Sequence, residues 1–443
     1  MKLKPVVVSL IMLGLVAPAF AAHHHKMGKA KDVLAQQAIV DQNSPVNKVC
    51  GEGWFNRISV GGMASVVGVA GNHDLPGSFN NIGGGSDLYV NNANLLVDAD
   101  LSKWSRASLN LAYMGAPSAR TMLTDGAAVG YKASHRIYAD EAYIVLSDLA
   151  KYPVYAKIGK AYVPFGEYND VYVPWQIESP AQMMSQTNGP TAIVGVASDF
   201  GFYVSAFALK GDTQPKGSTT NNVRNFGAKV GYKDNLSNFA SPDTSINLNM
   251  SYIRNMWDSQ FFTPNSESPS GVLTGSGNIP ARDAVGALAL HLDMSYKALS
   301  VYADWTGALK NMASTYYSSV GSVTPPTYSD SGSRFWGANV NAAYAFETLE
   351  RDSSLGAGVQ FSGNGQWFND TSAAFSTGAN STGQFNYIIP KWRALGEYKI
   401  NLFQHTDLSL VYAYSKSYDF GTTSVHTDAR STNVGLARLG VKF

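Results

Sequence analysis

Apolar and polar residues alternate with a period of two along most of this chain. In 244–255, Ile246, Leu248, Met250 and Tyr252 share one parity, and Asn247, Asn249 and Ser251 the other. Alternate residues of a strand lie on opposite faces, so this pattern predicts two-faced strands. Read throughout, it predicts sixteen: 54–69, 88–101, 105–114, 135–147, 153–163, 190–198, 202–211, 223–233, 244–255, 284–296, 298–308, 334–346, 354–363, 384–400, 406–417 and 432–443. The connections alternate in length. Asp199-Phe200-Gly201 and 402–405 are tight, whereas 256–283, 309–333 and 364–383 are long and rich in Ser, Thr, Gly, Asn and Pro. Short turns at one end and long loops at the other are the pattern of outer-membrane barrels. The expected fold is all-β: a 16-stranded antiparallel transmembrane β-barrel, porin-like, over 54–443.

The two parities assign the two faces. Leu288, Leu290, Leu292 and Met294 oppose His291 and Asp293; Leu299, Val301, Ala303 and Trp305 oppose Ser300, Tyr302 and Asp304. Trp392, Ala394 and Tyr398 oppose Lys391, Arg393, Glu397 and Lys399. A charge on the lipid face at mid-bilayer costs about 2–4 kcal/mol, so the polar sets must face a wet lumen. Aromatic residues near strand ends, namely Trp54, Tyr113, Tyr143, Trp336, Tyr344, Tyr398, Tyr414 and Phe443, suit interfacial girdles. In the last strand, Gly435, Ala437, Leu439, Val441 and Phe443 form the lipid set and Arg438 and Lys442 point inward. An aromatic terminal strand of this kind is what barrel-assembly machinery reads.

The first residues sharpen the address. Lys2 and Lys4, the apolar run 6–16 and Ala19-Phe20-Ala21 are the three regions of a secretory signal peptide, expected over 1–21. A periplasmic extension is expected over 22–53. Its His23-His24-His25 are adjacent and do not easily converge on one ion, so the stretch reads as a polar tail, and no metal or cofactor is expected. Cys50 is alone, which excludes a disulfide framework. Without the leader there are 31 basic against 32 acidic residues, which argues against nucleic acid as a partner. The bacterial outer membrane is the expected location, with its lipid and lipopolysaccharide as partners and a homo-oligomer as one option.

Mixed charge is therefore expected inside. Candidate pore-lining or solute-binding residues are Asp98, Lys229, His291, Asp293, Asp304, Lys391, Arg393, Glu397, Lys399 and Arg438; most are expected only to hydrate the wall and pair with one another. The third long loop stands apart. It runs Pro164-Phe165-Gly166-Glu167-Tyr168-Asn169-Asp170 and on through Trp175, Glu178 and Met183-Met184, apolar and aromatic where other loops are Ser/Gly-rich. Such a segment is expected to fold into the lumen and narrow it, presenting Glu167, Asp170, Glu178 and Gln182 to the solute. Ser179-Pro180 suits a helix start, with the helix continuing through Gln186.

The run Lys157-Ile158-Gly159-Lys160-Ala161-Tyr162-Val163-Pro164-Phe165-Gly166 resembles the strand-to-loop signature of porins related to the phosphate-selective group. The whole of 54–443 more closely resembles the LbtU-type siderophore porin family. That resemblance implies a sixteen-stranded receptor for ferric siderophores with no plug domain. A phosphate-selective pore would carry a strongly basic ladder, and the mixed charges here do not match one. A general or anion-preferring diffusion porin is the alternative. Catalysis is not expected: His291 and Asp293 share a strand face, but no Gly-x-Ser-x-Gly nucleophile motif accompanies them.

Overall fold

The computed structural model describes residues 46–48, 58–71, 86–102, 104–114, 137–147, 152–167, 177, 179–198, 200–211, 223–235, 244–259, 284–311, 313–316, 327–330, 334–363, 390–416, 420–422, 425–427 and 431–442. The expected signal peptide, the histidine triplet, Cys50, Asp170, Glu178 and Phe443 lie outside them.

Sixteen long strands form a closed antiparallel barrel. They are β1 (Ile58–Gly71), β2 (Ser86–Ser102), β3 (Ser105–Met114), β4 (Ile137–Ser147), β5 (Val154–Tyr162), β6 (Asn188–Ala197), β7 (Phe202–Leu209) and β8 (Asn225–Asn235). There follow β9 (Thr244–Ile253), β10 (Ala287–Tyr296), β11 (Leu299–Ala308), β12 (Trp336–Thr348), β13 (Arg351–Gly363), β14 (Trp392–Phe403), β15 (Thr406–Lys416) and β16 (Ser431–Lys442). Each pairs with the next, and β16 returns to β1 in the register Met63↔Lys442 to Gly71↔Val434. A short strand, Val46–Lys48, pairs with β1 from Gly61 to Ser59, directly beyond the end of β16. Those three residues fall within the stretch expected to be a periplasmic extension. Two small ribbons, Ala313–Tyr316 with Thr327–Asp330 and Phe420–Thr422 with Val425–Thr427, belong to long loops.

Closure satisfies every strand edge, which a sheet in lipid requires. The outer face is apolar: Val194, Val204, Val230, Met250 and Leu290 are all exposed. The inner face holds Asn247, Asn249, His291, Asp304 and Arg393, all buried. Both parities follow the alternation in the sequence. One aromatic departs from expectation. Tyr143 does not join an outer girdle; it is inward and 4% exposed, because it shares parity with Glu141 and Val145. Nearness to a strand end set that expectation, and the pleat overrules it.

Most strand limits fall within about three residues of expectation. The largest shift is β14, expected from 384 and observed from Trp392. Pro390 precedes that start and cannot donate to a ladder.

The short turns are tight enough to need unusual backbone. Leu349 and Glu350, with φ of 54° and 59°, join β12 to β13 around the pair Thr348↔Arg351. Two consecutive positive φ values define the turn that fits strand twist, and Asn-Gly fills it best. Side chains other than Gly, Asn and Asp cost about 1–2 kcal/mol per residue there. The double substitution Leu349→Asn, Glu350→Gly is expected to stabilise the barrel by roughly 1 kcal/mol, read as a raised urea midpoint in lipid vesicles. An unchanged midpoint would count against strain in this turn.

Candidate functional site

The third loop leaves β5 and folds back inside the barrel. Its ends are joined where the amide of Val163 donates to the carbonyl of Thr187 at 3.0 Å. Phe165 is fully buried. Gly166 turns the chain with φ of 74°, and a Cβ there would lie 2.5 Å from Ser185 Cβ, so only glycine fits. The Gly166 amide donates to Ser251 Oγ at 2.8 Å, and Lys229 Nζ donates to the Gly166 carbonyl at 3.0 Å. Lys229 also ion-pairs with Glu167, whose Oε1 accepts from Asn249 Nδ2 at 3.0 Å. The first bend of the loop is thereby fastened to β8 and β9.

The second part of the loop meets other walls. Ile177 is fully buried in a cluster with Val67, Val69, Leu395, Val411, Val434 and Leu436, the inner faces of β1, β14, β15 and β16. Its carbonyl accepts from Gln360 Nε2 of β13 at 3.4 Å. A helix follows, α1 (Pro180–Ser185). Ser179 caps it, its Oγ accepting from the Gln182 amide at 3.1 Å while Gln182 Oε1 accepts from the Ser179 amide at 3.2 Å. This reciprocal box with Pro at the first position satisfies the first-turn donors. The helix buries Ala181, Met183 and Met184 and packs on β11, β12 and β13. It sits where β12 has Gly337: a Cβ there would lie 2.6 Å from the Pro180 carbonyl carbon. The loop therefore touches both sides of the lumen.

The loop brings several candidate residues together. Glu167, Lys229, His291, Asp293 and Asp304 form one cluster on β8, β10, β11 and the loop root. His291 Nδ1 donates to Asp304 Oδ1 at 2.8 Å, and its ring meets Tyr302 edge-on at 5.0 Å. Gln182 of α1 lies near Tyr302. Lys233 and Asp293 lie within electrostatic reach of Glu167. Burial works against ionisation of Glu167, but attraction to Lys229, then to His291, with the Lys229 hydrogen bond and Lys233, outweighs it and holds the carboxyl below the usual carboxylate range. The Glu167 side chain keeps 23% of its surface exposed, so one edge is open while the other is held by the wall.

Other candidates lie apart. Fully buried Arg393 donates from Nε to Ser415 Oγ at 2.8 Å and from Nη1 to Gln360 Oε1 at 2.9 Å. Since Gln360 also holds Ile177, Arg393 supports the loop through that amide. Arg438 Nη2 donates to Asp407 Oδ2 at 2.8 Å, with Lys399 Nζ 3.9 Å from the same oxygen. Glu397 is half-buried on the inner face nearby. Asp98 is buried near the short turn after β2, beside the Arg106–Asp100 pair at 2.7 Å. Lys391 stands exposed at the mouth, ahead of β14. Glu141 and Lys157, absent from the sequence candidates, form a buried pair 3.6 Å apart with the ammonium 3.7 Å from the Tyr143 ring centre. Asp407 and Lys233 are likewise inward and absent from those candidates. Parity with Lys229 finds Lys233, and opposition to Tyr414 finds Asp407; Glu141 was hidden because it shares a face with Tyr143, which its place near a strand end put outside.

No protein-family model matches the chain. A UPF0422 protein of Coxiella burnetii is 23% identical over 308 residues, 69% of this chain and 56% of that protein. A UPF0422 protein of Legionella pneumophila (strain Lens) is 21% identical over 388 residues, 85% of this chain and 63% of that protein. The chain thus spans less than two thirds of the length of these relatives. Among solved structures, the outer membrane channel DcaP of Acinetobacter baumannii matches 87% of this chain and 97% of its own, with 12% identity and a TM-score of 0.51. The fold is that of an outer-membrane channel. An apolar outer surface and a charged inner one, closed without edges, place this barrel in the bacterial outer membrane.

Proposed function

We propose that this protein is a substrate-selective channel that passes a small charged solute of the ferric-siderophore class through the outer membrane. The observation that carries this reading is the docked third loop, bolted to β8–β9 at Glu167 and to β11–β13 by α1. A loop held at both ends narrows the pore permanently, as selection by size and charge requires. Beside it lie acids and bases of both signs: half-buried Asp293 and the part-exposed Glu167 carboxylate face the lumen, backed by buried Asp304, Lys229 and Lys233, a mixed setting suited to a chelate with charged and polar oxygens. A phosphate-type pore would present one sign of charge. The reading is of a channel and not an enzyme, so the pure barrel is expected to leave lipid and peptide substrates intact.

The second reading is a general or anion-preferring diffusion porin, and the barrel architecture alone favours it. Planar-bilayer conductance separates the two. Addition of ferric siderophores from a panel is expected to produce concentration-dependent blocking events, while phosphate and chloride pass without blocking. A large conductance indifferent to every chelate tested would refute the selective reading.

A further inference from the structure

The outer face carries charge where the lumen cannot reach it. Above the apolar belt, at the long-loop ends of β5 to β9, basic residues fall into one row. Lys160 pairs with Pro190. The Lys210 amide donates to the Pro190 carbonyl at 2.9 Å. The register Leu209↔Asn225 then sets Lys210 across from Arg224. Arg254 follows on the next strand, its amide donating to Phe226 at 2.9 Å and its Nη1 to the Arg224 carbonyl at 2.7 Å. Arg334 takes a similar rim position three strands on, ahead of β12 and outside this row.

All five share the outward parity of the lipid belt, and Lys210, Arg254 and Arg334 are exposed. Aromatic rings sit one step lower. The Arg254 guanidinium is 5.3 Å from the Phe226 ring centre, and Phe226 is itself 52% exposed. Tyr252 and Trp336 occupy the same position under Arg254 and Arg334 on their own strands. Apolar belt, aromatic step, then basic rim is the order of a membrane interface facing anionic headgroups. With strands about 4.8 Å apart, Lys210, Arg224 and Arg254 span about 10 Å along the rim. The described outer rim of β1 to β4 differs: it presents Leu88 and Ile137, exposed by 72% and 74%, and no Lys or Arg.

We propose that the β5–β9 rim is a binding site for lipopolysaccharide, with Lys210, Arg224 and Arg254 holding a phosphate of its lipid A head. Charge complementarity selects this occupant, since the outer leaflet is where phosphorylated lipid meets this height of the wall. A basic group beside an anionic surface contributes about a fivefold gain in binding. Removing three predicts a loss on the order of a hundredfold.

The test uses the full barrel in detergent, titrated with bisphosphorylated lipid A and followed by native mass spectrometry. The triple variant Lys210→Gln, Arg224→Gln, Arg254→Gln is expected to lose most lipid A binding, and dephosphorylated lipid A to bind both proteins equally weakly. Heat-dependent gel mobility checks that the barrel is folded. Should the triple variant fail to fold, Lys210→Gln and Arg254→Gln are titrated singly, each expected to lose about fivefold. Equal affinity of parent and variants for phosphorylated lipid A would overturn the proposal. So would a change in oligomeric state with lipid binding unaltered, which would assign the row to contact with a second copy.

Discussion

Replacing Lys229 with methionine is expected to free the third loop, widen the pore and destabilise the barrel by about 3 kcal/mol, the lower part of the range for breaking a buried ion pair. The lower part applies because Glu167 keeps 23% exposure and lumen water can partly rehydrate it. Lys229 also holds the Gly166 carbonyl at 3.0 Å, so two fastenings are lost together. Single-channel conductance should rise and become noisier, and chelate blocking should weaken. Glu167→Gln in the same chain should recover part of the stability, since the stranded charge is removed. Unchanged conductance in the single variant would show that the loop is held without this pair.

Acid should act on the same fastening. The Glu167 carboxyl is held below the usual carboxylate range, chiefly by Lys229 against the opposing effect of burial. A carboxyl with a lowered folded pKa stabilises the native state fully above its unfolded pKa, about 4.3, and that contribution fades as pH falls through the lowered value. The loop should therefore stay docked through neutral and mildly acidic pH. It should loosen only below about pH 4, as increased current noise that Glu167→Gln no longer shows. Noise rising already near pH 6 in that variant and the parent alike would assign the effect to another group.

The wall was legible in the sequence because a strand records its two neighbours, lipid and water, in alternate residues. Ile246 to Tyr252 and Leu288 to Met294 fall on the faces expected. The inward loop was legible from composition alone, and the Ser179-Pro180 helix start from its capping chemistry. What parity cannot record is which inward residues meet. Ile177 and Gln360 are 183 residues apart and touch only because the barrel closes. Gln182, expected to face solute, has its side-chain carbonyl turned back to the Ser179 amide. The inner apolar cluster of Val67, Val411 and Leu436 was likewise hidden, since strands with apolar residues on both faces show no alternation.

Gly337→Val should separate the loop from the barrel more sharply than any charge change. A Cβ at 337 would lie 2.6 Å from the Pro180 carbonyl carbon and 2.7 Å from the Ala181 amide nitrogen. Both are backbone atoms of a capped helix, so no rotamer change relieves the contact. β12 is held in a ladder on both sides, with Gly337 opposite Thr306 and Ser362. The helix is the part that must give. Overpacking of this kind costs about 1–3 kcal/mol, and α1 would leave the wall, exposing Met184 and Ala181, now almost wholly buried. Conductance should rise while heat-dependent gel mobility still reports a folded barrel. Gly68→Ala supplies the control, since its nearest obstacle is Leu88 Cδ1 at 3.8 Å on the outer face. If Gly337→Val conducts and blocks like the parent, the helix does not form the constriction, and selectivity must rest with the cluster around Glu167 and His291.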